Sequence, residues 1–478
     1  MKAQGRFLIA AVLCAASLGC RASFGPVEGC EPLPSPINVS KILERNPSSS
    51  SQGPITLDRA IEEALAASPS LRQIEQRLQA AEEQVRQAEA AFYPRIVFSQ
   101  EFSLTDNPVF AFMQTLHQRR LSFAMDFNDP GVHQNVTSRI QGEWSIFEGG
   151  SRIYGRNAAA GQRDAVGFDL LAAKNKLVAS VIESYFRWLQ ALAFLEVAQK
   201  AVLSARTSES LGEARVRAQV ALESELLRLK TRTAEAEANM VSARASAQRL
   251  KAALERLIAR PIRDEEVPSP MDVIGESAKE KVETNPAELL KTALEQRPEL
   301  QAIRSLIMAA RERVRMAKAD LLPKIGARVW WAWDSEEMRG GGESWLASLH
   351  VTWPLFQGGL TLSRIREAAS RLRELEESGH QLALDIALEV HQASATLSEA
   401  RAKVEVASRR RDYSTRALEE VRAQYANDVV TVDALLQSEL EWTRAEVSYT
   451  SALFEEKIAQ AALRQALGEL AKWTESKP

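Results

Sequence analysis

The chain has 478 residues, with 60 Lys and Arg set against 63 Asp and Glu, and its formal net charge is −3. That balance leaves no basic footprint for nucleic acid. Ala, Glu, Arg, Leu and Gln fill long tracts with few breakers, which indicates extended helices rather than the several compact domains that length alone would suggest.

Residues 1–20 read as a secretory leader: Lys2 and Arg6 precede the apolar run Phe7 to Leu18, which is too short to cross a bilayer as a helix. No longer apolar run follows, so the mature chain is expected to be exported without a helical membrane span. Ser17-Leu18-Gly19-Cys20 approximates a bacterial lipoprotein box with its Leu one place too close to the Cys. Two fates are therefore open to Cys20, lipidation or a disulfide with Cys30 in an oxidising periplasm. Residues 21–54, with Pro32, Pro34, Pro36 and Ser48 to Ser51, form an extended lead-in.

The first repeat covers 55–260. Thr56 caps a helix over Leu57 to Ala67, Ser68-Pro69 interrupts it, and a second stretch runs from Ser70 to Phe92. Tyr93-Pro94 ends it, because the residue before a proline is driven out of the helical region. Arg95 to Leu104 alternates, with Ile96, Phe98, Phe102 and Leu104 on one face and Ser99, Glu101 and Ser103 on the other, the pattern of a half-buried strand. A polar segment with Asn107-Pro108 and Asp129-Pro130-Gly131 leads to a second strand, Asn135 to Phe147. There Val136, Ile140, Trp144 and Ile146 oppose Thr137, Arg139, Gln141 and Glu143. Gly149-Gly150 turns the chain into a helix from Ser151 to about Ala214, roughly 100 Å long at the standard rise. A turn near Gln219 to Glu223 reverses it into a helix from Ser224 to Ala259, closed by Arg260-Pro261.

Residues 261–285 are a proline-bearing linker, after which 286–470 repeat the plan and 471–478 form a tail. Ala293-Leu294 followed by Pro298 and Leu300 parallels Ala64-Leu65 followed by Pro69 and Leu71, and Leu322-Pro323 parallels Tyr93-Pro94. Trp353-Pro354-Leu355-Phe356-Gln357-Gly358-Gly359 parallels Trp144 to Gly150, with the first hairpin loop carrying an insertion. The second hairpin is Lys324 to Trp333, then a loop at Gly340 to Gly342, then Ser344 to Trp353. A long helix from Leu360 to about Gln424, a turn at Asn427 to Thr431 and a return helix from Val432 to about Leu470 complete the copy. In each copy the two short helices and the return helix together match the length of the long one, so they can stack beside it in two rows.

Four alternating strands cannot close a membrane barrel alone, so they either cover a soluble core or are pooled among several chains. Trp330, Trp331, Trp333, Trp345 and Trp353 crowd one hairpin, as an aromatic girdle at a membrane surface would. The five histidines are scattered, His380 and His391 lie about 16 Å apart along one helix, and phosphate loops, zinc spacings and nucleophile elbows are lacking. The sequence therefore predicts no enzyme and no cofactor.

The duplicated Ala-Leu-x-x-x-Pro-x-Leu openings, the Tyr93-Pro94 and Leu322-Pro323 helix ends, the Trp-x-x-Phe-x-Gly-Gly junctions and the turn from Tyr425 through Asn427, Asp428 and Thr431 to Leu435-Leu436 resemble the TolC-type outer-membrane factor family over about residues 55–470. The resemblance implies a mainly α fold with a membrane β-barrel portion. Three subunits would give four strands each to a twelve-stranded barrel set in outer-membrane lipid, and their helices to a periplasmic tunnel. It further implies a duct for efflux or type I secretion, docked to a periplasmic adaptor and an inner-membrane transporter that supplies the energy. The site residues it points to are the strand-to-helix junctions (Trp144, Gly149, Gly150, Trp353, Gly358, Gly359) and the tip that meets the adaptor (Glu223, Ser224, Glu225, Tyr425, Asn427, Asp428, Thr431, Asp433). Two departures bear on the partner: family members often carry Gly where Asp428 stands, and the first turn, Ala218 to Glu225, also lacks one. Carboxylates at the tip (Glu223, Glu225, Asp428, Asp433), repeated threefold, would make a cation-binding ring, or serve only as solvated turn residues. The rival reading is a periplasmic coiled-coil scaffold or adaptor without a pore, which would account for the helices but not for the strand pairs before each Gly-Gly.

Overall fold

The computed structural model describes residues 53–472, apart from 123–125, 127, 271–284, 338–340 and 428. The leader, Cys20 and Cys30, most of the lead-in and of the linker, Gly340, Asp428 and the end of the tail lie outside the described residues. In chain order the elements are α1 (Leu57–Ala67), α2 (Pro69–Ala90), β1 (Arg95–Thr105), α3 (Pro108–His117), β2 (His133–Phe147), α4 (Ser151–Arg217) and α5 (Glu223–Ile258). The second copy supplies α6 (Pro286–Gln296), α7 (Pro298–Ala319), β3 (Lys324–Ser335), β4 (Gly342–Thr352), α8 (Leu360–Ala426) and α9 (Val432–Leu467).

The helices of the two copies agree residue for residue in length. Helices of 11, 22, 67 and 36 residues (α1, α2, α4, α5) recur as 11, 22, 67 and 36 (α6, α7, α8, α9). Ser68-Pro69 and Arg297-Pro298 break the paired short helices at the same place, each Pro entering at the first helical turn where its missing N–H costs nothing. The element that departs from expectation is α3, a helix inside what the sequence shows as a polar hairpin loop; Asn107 caps it by accepting from the amides of Val109 and Phe110.

The strands form one antiparallel sheet in the order β1-β2-β3-β4. Its register puts Phe98 opposite Ile140, Ile140 opposite Trp331 and Trp331 opposite Trp345, a row of large apolar groups across all four strands on one face. The other face pairs Ser99 with Arg139, Glu101 with Thr137 and Glu143 with Arg328. The apolar face is uncovered: Ile96, Phe98, Leu349 and Val351 are each more than half exposed, and Trp345 is 72 % exposed. Trp330 is a correction to the girdle reading. Its position opposite Gln141 places it on the polar face, where the Arg139 guanidinium lies 5.0 Å from its ring centre.

The main core lies half way along α4. Val178, Ile182, Tyr185, Trp188 and Leu189 of α4 receive Ile55 and Ile61 from the segment before α1 and from α1 itself, and Leu254 and Ile258 from the end of α5. The short-helix pair and the return helix thus meet beside the middle of the long one, which closes the two-row layer. Tyr185 donates to the Ile55 carbonyl at 3.0 Å, and burial, with the Asp58 charge adding to it, pushes its phenol up to about 12. Beside this core a charged knot locks the end of α5 to α1. Arg260 pairs with Glu63 at 2.7 Å and with Glu266 at 2.8 Å, while Arg59 reaches Glu266 at 3.1 Å, all with side chains at most 16 % exposed.

Burial alone would raise the Glu266 carboxyl, but hydrogen bonds from Arg260 and the Arg263 amide, with the charges of Arg260 and Arg59, hold it below the usual carboxylate range. A carboxylate depressed in this way contributes stability that is full above its unfolded pKa and lost as pH falls through its folded one. Glu266→Gln is therefore expected to cost about 3–5 kcal/mol at neutral pH, the range for breaking one side of a buried pair. The gap to the parent protein should close below about pH 4, which denaturant unfolding of the helical circular dichroism at both pH values checks.

Candidate functional site at the helical tip and the strand–helix junctions

At both junctions the backbone turns through two left-handed residues. Gly149 and Gly150 have φ of 64° and 88°, and Gly358 and Gly359 have 60° and 87°, so a β-carbon at any of them would be strained. Each junction is fastened by an indole. The Trp144 Nε1–H donates to the Phe92 carbonyl and the Trp353 Nε1–H to the Leu321 carbonyl, both at 3.0 Å. These acceptors occupy equivalent places just past α2 and α7, where the last carbonyls of a helix have no partner within it. The Trp of each motif therefore ties the returning strand to the helix that enters the hairpin, Trp144 from within β2. Trp353 stands just past β4, which ends at Thr352.

The two copies differ in what lies against the glycines. A β-carbon on Gly149 would come within 2.7 Å of the Ala319 carbonyl oxygen and 3.0 Å of the Leu322 β-carbon, at the end of α7. On Gly358 it would meet nothing within 4 Å. The same asymmetry runs down the long helices. Of equal length, α4 has 20 buried residues and α8 has eight.

At the far end, the turns α4–α5 and α8–α9 pack on each other through Leu229, Leu418, Tyr425, Val432 and Leu435. Tyr425 is buried, with the Arg215 guanidinium 4.5 Å from its ring centre and donating to its carbonyl. Thr431 caps α9 by accepting from the Ala434 amide, and Asn427 donates to the Ala423 carbonyl at 2.9 Å. Asp433 pairs with Arg228 of α5 at 2.6 Å, so it joins the two turns as well as facing solvent. Glu223 and Glu225 occupy the first turn of α5, whose N-cap Leu222 offers no side-chain acceptor, and there they complement the positive helix end. Glu223 and Ser224 are exposed and Glu225 is half-buried. Lacking a glycine, the first turn places Gln219 itself at φ 61°. The structure therefore buries Tyr425 in the packed cluster and leaves Asn427, Thr431, Asp433, Glu223 and Ser224 exposed around it.

One group of functional interest was not foreseen. Glu439 on α9 is 2 % exposed and accepts from Ser208 at 2.6 Å and Ser204 at 3.3 Å on α4, while Arg422 of α8 stands 3.3 Å away. It links three long helices just above the tip. Its signal in the sequence was present: Val432, Leu435 and Glu439 fall on one helical stripe, so a carboxylate sits where an apolar residue is expected.

The described helices include none long and apolar enough to cross a membrane. The sheet, for its part, exposes one apolar face, and the comparisons place the fold among outer-membrane channels. The fold matches the open-state MtrE outer membrane channel of Neisseria gonorrhoeae with a TM-score of 0.72 and 21 % identity over 87 % of this chain and 89 % of that one. It matches the CmeC outer membrane channel of Campylobacter jejuni with a TM-score of 0.73 and 14 % identity, over 91 % and 93 %. Protein CyaE of Bordetella pertussis is 26 % identical over 429 residues, 88 % of this chain and 85 % of that protein. The profile of the outer membrane efflux proteins matches residues 60–260 and 289–469, one stretch for each copy of the repeat, and the chain belongs to that family.

Proposed function

We propose that three copies of this chain close into one passive duct, with a twelve-stranded barrel in the outer membrane and a helical tunnel below it. At its tip the duct would dock a periplasmic adaptor joined to an inner-membrane transporter. As a family member the chain is an outer-membrane protein with a periplasmic extension, serving efflux or secretion. The observation that carries the trimer is what the single chain leaves unpartnered. Strands β1 and β4 are the two sheet edges, and hydrocarbon offers their N–H and C=O groups no hydrogen bond. Within the chain α4, which follows β2, packs on α7, which precedes β3. By the same rule α8, which follows β4, calls for the α2 that precedes β1 of the next subunit. A head-to-tail contact of this kind closes into a ring. A pore-free scaffold would leave both the edges and the apolar face unsatisfied.

The assembly is tested by outer-membrane fractionation and by electrophoresis in mild detergent with and without boiling. A heat-sensitive trimer is the expected result, and a periplasmic monomer would overturn the duct. The ring also predicts a particular equivalence. Gly358→Ala and Gly149→Ala each incur about 1–2 kcal/mol from left-handed backbone. If α2 of the next subunit lies against Gly358 as α7 lies against Gly149, both variants should lower the trimer dissociation temperature alike. An effect confined to Gly149→Ala would count against closure.

For the tip, we take the carboxylates Glu223, Glu225, Asp428 and Asp433 to form the ring that meets translocating or blocking cations. Asp428→Asn together with Asp433→Asn is expected to weaken divalent-cation block of single channels several-fold. Arg228→Ala, which releases Asp433 from its partner, should strengthen it. Unchanged block in both variants would remove the ring.

A further inference from the structure

Helix α3 is amphipathic in the wrong sense for a helix lying on a sheet. The residues it turns to the sheet are small or polar, with Ala111 and Thr115 buried and Gln114 donating to Ser103 Oγ at 3.0 Å. Just past its end Gln118 donates to Asn135 Oδ1 at 2.8 Å. Ser103 and Asn135 are cross-strand partners on the polar face, and Asn135 and Thr137 both donate to Asp334 there. The outward stripe is apolar: Val109 is 69 % exposed, Phe110 62 %, Leu116 44 % and Met113 41 %. Such a stripe is exposed at a cost unless something apolar covers it.

The placement of α3 decides what can cover it. It follows the end of β1 remote from α2, so it stands at the mouth opposite the helical tunnel. It packs against β2, β3 and β4, and its last carbonyl, on His117, approaches so close to Gly342 that a β-carbon there would leave no room. Arg119, in a left-handed conformation, donates to the Glu343 carbonyl at 2.9 Å and pins the helix end to β4. The face it covers is the polar one, which in a membrane barrel is the interior. Lipid is therefore on the other side of the sheet. Twelve strands spaced about 4.8 Å and tilted about 40° make a barrel about 24 Å across. Its radius is close to the about 10 Å thickness of a helix, so a helix laid on the inner wall reaches the axis.

We propose that α3 is a cap on the outer mouth. One copy from each subunit would lie across the bore, and the three apolar stripes would meet on the axis through Phe110 and its neighbours, closing the mouth to hydrated solutes as a dry constriction. This rests on the trimer reading above, and the occupant of each exposed stripe is the same helix of the other two subunits.

The test is inter-subunit cross-linking in isolated outer membranes. Phe110→Cys, oxidised with copper phenanthroline and run boiled without reductant, should give a covalent dimer containing up to about two of every three chains, since three thiols at one axis form one disulfide. Thr115→Cys, on the sheet side of the same helix, should give no more dimer than the parent protein, whose own cysteines set the blank. A trimer in the unboiled lane with no dimer from Phe110→Cys would overturn the cap while leaving the duct intact. So would equal dimer from both positions, or ready labelling of Phe110→Cys on whole cells by a bulky impermeant maleimide, which would mark the stripe as a surface for an external partner. A monomer in the unboiled lane would overturn the duct and the cap with it.

Discussion

An antiparallel sheet with one apolar and one polar face has two stable settings: folded over a core, or immersed in lipid with its edges paired. Here the core setting is not used, because none of the described helices covers the apolar face, where Trp331, Trp345 and aliphatic neighbours stand exposed. The immersed setting imposes a demand that the chain does not meet alone. Unpaired amides and carbonyls along β1 and β4 would each cost several kcal/mol in hydrocarbon. Satisfying those two edges accounts for features far from the membrane. The bare flank of α8, the open space beside Gly358 and the unequal burial of two helices of identical length are the same missing neighbour, seen at successive distances from the sheet.

The equality of the two copies follows from that ring. In a wall of six quasi-equivalent units the helices must match in length if each unit is to meet the next at the sheet and again at the tip, whereas the strands, of 11 and 15 residues in one copy and 12 and 11 in the other, differ at the mouth. Where neighbours are not quasi-equivalent, the copies have diverged. At the end of α5 a four-charge knot around Arg260 holds the chain, whereas at the end of α9 a single arginine, Arg297, donates to the Ala466 carbonyl and pairs with Glu299 and Glu389. The two arrangements do the same work, satisfying and anchoring a helix end, with unrelated side chains. Such positions anchor helix ends, whereas divergence at the tip turns and at the mouth falls where the proposed duct would meet solutes and partners.

Much of this was legible in the residues. Period-two alternation located the strands and their faces, proline and glycine pairs located the breaks, and repetition of Trp-x-x-Phe-x-Gly-Gly disclosed the duplication. What escaped did so for identifiable reasons. Helix α3 has its apolar stripe turned from its own sheet, and the Pro and Asn residues at its start suit a loop equally well. Trp330 breaks the rule that large aromatics share the lipid face, because Arg139 supplies a cation for its ring on the other side. The pairing of Asp433 with Arg228, and the burial of Glu439 beneath two serines, are contacts between helices, and no spacing within one helix reveals which residue of another will lie opposite.

The chemistry of the two ends then differs in a way that bears on how a duct of this kind is operated. At the tip polar and directional contacts accompany the apolar packing of Leu229, Leu418, Val432 and Leu435: Arg215 on the Tyr425 carbonyl, Asp433 with Arg228, Glu439 with Ser208. Of these only the Asp433–Arg228 pair is exposed, so under the proposed docking it is the contact that a partner could exchange for a bond of its own. The cap proposed for the mouth is held by apolar contact around the axis, which no periplasmic protein reaches and which a hydrated solute cannot replace. Constrictions in series conduct only when both are open, and an apolar one opens when the pressure of solute within the bore, or the apolar part of the solute itself, parts it. On this view selection by partner would reside at the tip, and the mouth would bar hydrated solutes until its apolar contact is parted.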